Sequence, residues 1–252
     1  DSTAELAKAI AEHLSRTLAP SSITLKVRGR DPETVYGSLS SSVVVHEGRL
    51  RFAVEPSRPR NPGLHLDARP ARQWIQANSN ERRVLNLFAF TGSLGLAASI
   101  GGARSVTHID SQRSALSRLR HNYEINELRI DDRDLERLNI YQHMRTTAAK
   151  RRRYDGIIID CPPYSPHRDR TPGERGIFAL AKHARAMLAP GGWMLCFFHH
   201  LSEPREVLED KLIAGCGGEL SVTWRGCSGD DFPEADPSRK SRMTALVAPS
   251  RA

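Results

Sequence analysis

With 252 residues, 39% of them hydrophobic, the chain can bury a full core, which excludes a disordered polypeptide and a miniature protein held by disulfides. Its 37 Lys and Arg against 29 Asp and Glu give a net charge of +8, pointing to a polyanionic partner, most simply nucleic acid. Cys161, Cys196, Cys216 and Cys227 show no CxxC pairing or zinc-type spacing, and no apolar run is long enough to span a bilayer. A reducing, cytoplasmic setting is therefore expected, with no bound metal and no membrane partner. The chain opens on Asp rather than Met, so residues ahead of it are open.

Leu6, Ala7, Ile10, Ala11, Leu14 and Leu18 fall on one face at helical spacing, which predicts a helix over 4–18 that stops at Pro20. Residues 23–27 alternate as a strand, and 42–45 with 50–54 read as a hairpin turning at His46-Glu47-Gly48. Residues 1–60 are thus expected as a small α+β lead-in domain, either a structural cap or a grip on substrate. The Pro- and Gly-rich stretch 57–63 marks a boundary near residue 60, followed by a helix through Trp74 and Ile75. Beyond it, strands at 82–90, 105–110, 134–138, 154–160, 193–198, 219–225 and 242–248 are separated by helices at 92–101, 112–127, 140–152, 174–188 and 203–214. This alternation predicts an α/β, Rossmann-like domain over 61–252, a seven-stranded, mostly parallel sheet with helices on both faces. Ligands should collect at the carboxyl ends of its strands, after residues 90, 110, 138, 160 and 198.

The stretch 84–95 (VLNLFAFTGSLG) is an apolar run that ends in a small-residue turn and opens a helix. Gly92 and Gly95 are expected to let the backbone approach a ligand, and the first N–H groups of the helix offer partial positive charge. The next strand ends in Asp110, a carboxylate able to accept both ribose hydroxyls of an adenosine cofactor. The strand 154–160 ends at Asp160 and runs into Cys161-Pro162-Pro163-Tyr164, where a flat base could stack or accept hydrogen bonds. His199 and His200 close a later strand and could contact a base or move a proton; adjacent on an extended chain, they point to opposite faces and do not form a metal pair. The basic loop 165–175, with Arg168 and Arg170, and the run Lys150, Arg151, Arg152, Arg153 suit phosphate contact, although the run could equally be a solvated helix end.

These segments together resemble the class I S-adenosylmethionine-dependent methyltransferases. The resemblance rests on 85–95, Gly101-Gly102-Ala103, Asp110-Ser111, Asn122 with Asn126, and 159–164. It is strongest to bacterial large-subunit (23S) ribosomal RNA methyltransferases that make 5-methylcytosine or 7-methylguanine, and it extends to the GLHLDAR element at 63–69 and to Asp231-Phe232-Pro233. It covers most of the chain, with residues 1–60 similar to the small domain that follows that family's PUA domain; the PUA domain itself has no counterpart here.

The resemblance implies S-adenosyl-L-methionine as cofactor. Phe88, Phe90, Thr91, Gly92 and Ser93 would hold its methionine end, Asp110 with Ser111 its ribose, and Asn139 with Ile140 its adenine. Leu66, Asp67, Arg69, Asn86 and Asp160 would complete the site. Asp67 and Arg69 could also be a structural ion pair, and Asn139 a helix N-cap. The chemistry would fall to Asp160, Pro162, Pro163, Tyr164 and His199. Two departures bear on it: Cys161 interrupts the family's Asp-Pro-Pro-x-Phe, and Phe197-Phe198-His199-His200 stands where the cytosine branch carries its nucleophilic cysteine. The expectation is methylation of a base nitrogen of RNA, such as guanine N7. Carbon-5 methylation of cytosine through Cys161, a small-molecule methyltransferase and a non-catalytic RNA-binding assembly factor are the alternatives, with the oligomeric state open.

Overall fold

The structure, a computed structural model, describes residues 2–27, 31–58, 61–146, 151–162, 173–199, 201–232 and 241–250. Two compact units divide the chain, Asp1–Leu64 and His65–Ala252. In the first, helix α1 (Ser2–Leu18) accompanies the antiparallel pair β1 (Ser22–Leu25) and β2 (Glu33–Gly37). The hairpin of β3 (Val43–Glu47) and β4 (Leu50–Val54) turns at left-handed Gly48, and Leu50, Phe52 and Val54 alternate inward along β4. Strand β2 was not expected: its run of β-formers, Thr34-Val35-Tyr36, is too short to give a period.

The second unit opens with a 3-10 turn (Leu66–Ala68) and α2 (Arg69–Asn78), then alternates: β5 (Arg83–Leu87), α3 (Ser93–Ile100), β6 (Ser105–Asp110), α4 (Arg113–Ile125), β7 (Leu135–Arg137), α5 (Ile140–His143), β8 (Tyr154–Ile159), α6 (Gly173–Arg185), β9 (Leu188–Phe198), α7 (Arg205–Gly215), β10 (Ser221–Cys227) and β11 (Arg242–Val247). The seven strands lie in the order β10-β11-β9-β8-β5-β6-β7. Strands β9, β8, β5, β6 and β7 pair in parallel, and β11 alone runs against the rest, antiparallel to both β9 and β10. From β5 the chain moves outward through β6 and β7, then crosses back to lay β8 on the other side of β5. That reversal opens a crevice at the carboxyl ends of β5 and β8.

Val84 to Leu87 and Gly156 to Ile159 are buried along their whole length, as central strands covered on both faces require. Leu85, Leu87, Ile157 and Ile159 pack with Ile177, Leu180, Ala181 and Ala184 of α6 and Leu208 and Leu212 of α7. A second apolar cluster sets the Trp74 ring edge-on to Trp193 at 5.1 Å and stacked on Trp224 at 5.6 Å. Gly156 is required there, since a Cβ would overlap the Trp193 indole.

Several boundaries depart from expectation, three of them for reasons visible in the chain's course. β5 ends at Leu87 rather than 90, because Phe88 turns to φ 57°. β9 begins at Leu188, pairing with Tyr154 across an irregularity that precedes Gly156. The helix expected over 140–152 begins as α5, which is only four residues long; 147–150 lie outside the described residues.

Candidate active site

The turn after β5 is conformationally costly and closely held. Phe88 (φ 57°), Phe90 (φ 48°) and Gly92 (φ 83°) are all left-handed, and the two phenylalanines cost on the order of 1–2 kcal/mol each. Backbone bonds offset this: Ala89 N–H donates to the Ile109 carbonyl at 3.1 Å and Gly92 N–H to the Ala89 carbonyl at 2.8 Å. The Phe90 ring lies between His65 at 5.5 Å and the Arg118 guanidinium at 6.0 Å, while Phe88 meets Tyr141 edge-on at 5.8 Å. Strain kept at a strand end beside a switch point is a mark of a binding turn.

Asp110 ties that turn to the next strand. Its Oδ2 accepts the Phe90 N–H and its Oδ1 the Gln112 N–H, both at 2.8 Å, and the residue is 9% exposed. Each carboxylate oxygen keeps acceptor capacity for a ribose hydroxyl. Beside it Ser111 is exposed, and Thr91, 1% exposed, receives the Asn122 side-chain amide on its carbonyl.

Beneath α3 runs a buried polar chain that the sequence reading missed. Asn86 Nδ2 donates to His108 Nδ1 (3.3 Å), His108 Nε2 lies 2.8 Å from the Tyr123 hydroxyl, and that hydroxyl lies 2.8 Å from Ser99 Oγ. A Cβ on Gly95 would overlap the His108 ring, and one on Gly92 would overlap Leu119. Gly95 therefore makes room for protein rather than for a ligand, correcting the expectation. Asn86, fully buried with its amide turned to His108, likewise stands behind the turn rather than in the open crevice. The available signal was two polar residues, Asn86 and His108, inside strands that should be apolar on both faces.

Burial pushes the His108 pKa down to about 3, so the folded protein holds it neutral. A folded pKa below the unfolded value gives stability that is complete above pH 6.5 and lost as pH falls towards 3, by about 1.4 kcal/mol per pH unit. In urea titrations over that range, His108→Gln is expected to flatten the acid slope relative to the parent protein. Parallel slopes would mean that His108 is protonated in the fold.

Across the crevice, Asp160 follows β8 and His199 follows β9. His199 Nε2 lies 2.6 Å from Asp160 Oδ1, with the two side chains 21% and 20% exposed. Burial works against the charged imidazole, yet the hydrogen bond and charge of Asp160, aided by Asp67, raise the His199 pKa above its ordinary value. Asp67, in the 3-10 turn, accepts from Ser241 Oγ at 2.8 Å, and Arg69 pairs with Asp231 at 2.6 Å. The suggested Asp67–Arg69 ion pair is thus replaced by two longer-range contacts that join the 63–69 element to 231 and 241. Leu66 is exposed, as is Pro162.

Cys161 is 5% exposed, its thiol lying 3.3 Å from the Tyr141 hydroxyl and 3.5 Å from the Pro162 carbonyl, and burial raises its pKa. Cys196 is fully buried within β9 and is raised further. Asn139 caps α5, its Oδ1 accepting the Gln142 N–H at 3.2 Å, and Ile140 is buried beside it.

The basic run is placed elsewhere. Arg152 and Arg153 precede β8, at the amino edge of the sheet and opposite the crevice; Arg152 pairs with Glu136 and lies 5.6 Å over the Tyr154 ring. Arg151 is exposed on the same edge. Lys150, Pro163, Tyr164, Arg168, Arg170 and His200 lie outside the described residues. Among the described residues no cluster of three or more His, Cys, Asp or Glu could hold a metal ion, and no helix is long and apolar enough to cross a membrane.

The described residues fit S-adenosylmethionine. The chain supplies a half-engaged carboxylate at Asp110, a closely held left-handed turn at 88–92 and the first N–H groups of α3, which suit an anionic carboxylate.

Comparison with known proteins agrees. The curated ribosomal RNA large subunit methyltransferase I of Aeromonas salmonicida is 31% identical over 156 residues, 62% of this chain and 39% of that protein. Its namesake from Serratia proteamaculans is 29% identical over 165 residues, 65% of this chain and 42% of the relative. The matched region thus spans about two fifths of the length of these relatives. Among solved structures, SMU.776, described as a methyltransferase and complexed with SAH, superposes with a TM-score of 0.89 at 18% identity, over 97% of this chain and 66% of that one. The M. jannaschii tRNA m1G37 methyltransferase gives 0.68 at 13% identity, over 98% and 67%; both show likeness of fold. The signature of the S-adenosylmethionine-dependent methyltransferases matches residues 25–247, nearly the whole of the second unit and the later part of the first, and the chain belongs to that family.

Proposed function

We propose that the protein methylates ribosomal RNA on a base nitrogen, in the cytoplasm, with residues 61–252 as the catalytic domain and 1–60 as its lead-in. The RNA assignment is supported by the curated relatives' names and by the net charge of +8. The choice of nitrogen over carbon is carried by one observation. Carbon-5 methylation of a pyrimidine needs a thiolate to add to the ring, and Cys161, which follows Asp160 directly, is buried, held by Tyr141 and raised in pKa.

S-adenosylmethionine, when bound, supplies a methyl group already activated by its sulfonium. The protein's part is then orientation and exclusion of water. Asp110 fixes the ribose, the turn from Phe88 to Ser93 the methionine end, and Asn139 with Ile140 borders the adenine. Asp160, Pro162 and His199 wall the place where an extruded base enters.

Treating the protein with ribosomal RNA that contains 5-fluorocytosine tests the choice. No adduct should survive denaturation, and Cys161→Ser should keep turnover within about tenfold, ~1.4 kcal/mol of barrier. A denaturation-resistant adduct that vanishes in Cys161→Ser would establish cytosine carbon-5 as the target.

A further inference from the structure

The base-nitrogen reading leaves the acceptor's class open, and the His199–Asp160 contact bears on it. A carboxylate accepts but does not donate, so the 2.6 Å contact between Nε2 and Oδ1 places the hydrogen on Nε2. In the neutral ring, Nδ1 is then the nitrogen with a lone pair.

The two residues are the first past β8 and β9, strands paired through Ile159 and Cys196, so the contact lies at the carboxyl edge of the sheet beside the switch point. The Phe197 ring stacks on His199 at 5.7 Å and limits its rotation. The charges around the imidazole favour proton uptake. Asp160 bonds it, and Asp67 of the 3-10 turn adds a second carboxylate. Arg242 of β11, opposite Phe198, is turned to the carbonyls of Leu201 and Glu203, and the Cys161 thiol is turned to Tyr141.

A ring nitrogen with an open lone pair, such as guanine N7, has no proton to lose, so this arrangement would do nothing for it. We propose that the acceptor is a proton-bearing base nitrogen, an exocyclic amine or a ring N–H, whose proton is taken by His199 Nδ1 while Asp160 positions the imidazole; this rests on the base-nitrogen reading. The N–H bond breaks as the N–CH3 bond forms. Nδ1 takes the proton, the nitrogen's electron pair takes the methyl group, and the pair of the broken carbon–sulfur bond stays on sulfur, giving a neutral thioether. The imidazolium then returns its proton to water. His199 is the catalytic residue here and Asp160 a positioning residue.

The test combines a titration with turnover and product identity. In the cofactor-free protein, the His199 Cε1–H resonance should titrate above pH 6.5 and shift to lower pH in Asp160→Asn. Methyl transfer to ribosomal RNA should rise with pH through the same midpoint, and Asp160→Asn should move that limb with the resonance. His199→Gln should lower kcat by about 10²- to 10⁴-fold, with KM for RNA little changed, and abolish the limb. Digested RNA should carry the label on an amino or ring N–H nitrogen. Label on guanine N7, or full activity in His199→Gln, would overturn this inference and leave the base-nitrogen reading standing. Label on carbon-5 of a pyrimidine would overturn both, and a His199 resonance that titrates identically in Asp160→Asn would remove the positioning role even if neither variant turned over.

Discussion

Asp110→Ala is expected to weaken binding of S-adenosylmethionine by about 10²-fold or more while leaving the second unit folded. The carboxylate supplies two acceptors for ribose hydroxyls, and a hydrogen bond to a charged group contributes roughly 1.5–3 kcal/mol, so losing even one costs a factor of about 10 to 10². The same change releases the Phe90 and Gln112 N–H groups, freeing a left-handed phenylalanine from its main restraint. The turn would then also have to be ordered by the ligand. Asp110→Asn should bind nearly as poorly, because its amide nitrogen would face one of those two N–H groups, donor against donor. Calorimetric titration alongside circular dichroism reads both effects, and a folded Asp110→Ala variant with parental affinity would remove Asp110 from the cofactor site.

Gly95→Ala is expected to destabilise the protein by about 2–4 kcal/mol, against the ordinary trend for a helix interior. Intrinsic propensity favours alanine over glycine by up to ~1 kcal/mol. Opposing it, the new Cβ would overlap the His108 ring and press on Asn86 Nδ2 at 3.0 Å. Overpacking costs about 1–3 kcal/mol, and pushing His108 from Asn86 or Tyr123 leaves a buried polar group unsatisfied at about 1–3 kcal/mol more, so the clash wins. His108→Ser should recover much of the loss when combined with Gly95→Ala, since it withdraws the ring. If the two losses in urea stability were strictly additive, the ring would not be what Gly95 accommodates.

Much of the fold was legible because its signals are local. Val84–Leu87, apolar except for Asn86, and the unbroken run Ile157–Ile159 suit a doubly covered strand, and the helices between strands demand crossovers, hence a parallel sheet. The strand ends at Asp110, Asp160 and His199 were legible for the same reason, as polar residues placed where apolar runs stop. What these groups touch was not. The Asp110 contact with the Phe90 N–H depends on φ values a phenylalanine seldom adopts, and Asp160 meets His199 only because β8 and β9 are neighbours. The placement of Arg152 turns on a similarly nonlocal fact. Arg152 looked like one cation in a row of four, and Glu136 on β7 and the Tyr154 ring hold it at the far edge of the sheet. The cap at Asn139, by contrast, is a short-range bond, and residue type and spacing were enough to suggest it.

The measurement that addresses the central claim most directly is methyl transfer from S-adenosylmethionine labelled in its methyl group, with ribosomal RNA, transfer RNA and no RNA compared side by side and the RNA then digested to nucleosides. The account predicts label in ribosomal RNA, in one nucleoside methylated on a base nitrogen, and its loss in Asp110→Ala. Label confined to transfer RNA, to 5-methylcytosine or to small molecules in the absence of RNA would contradict it.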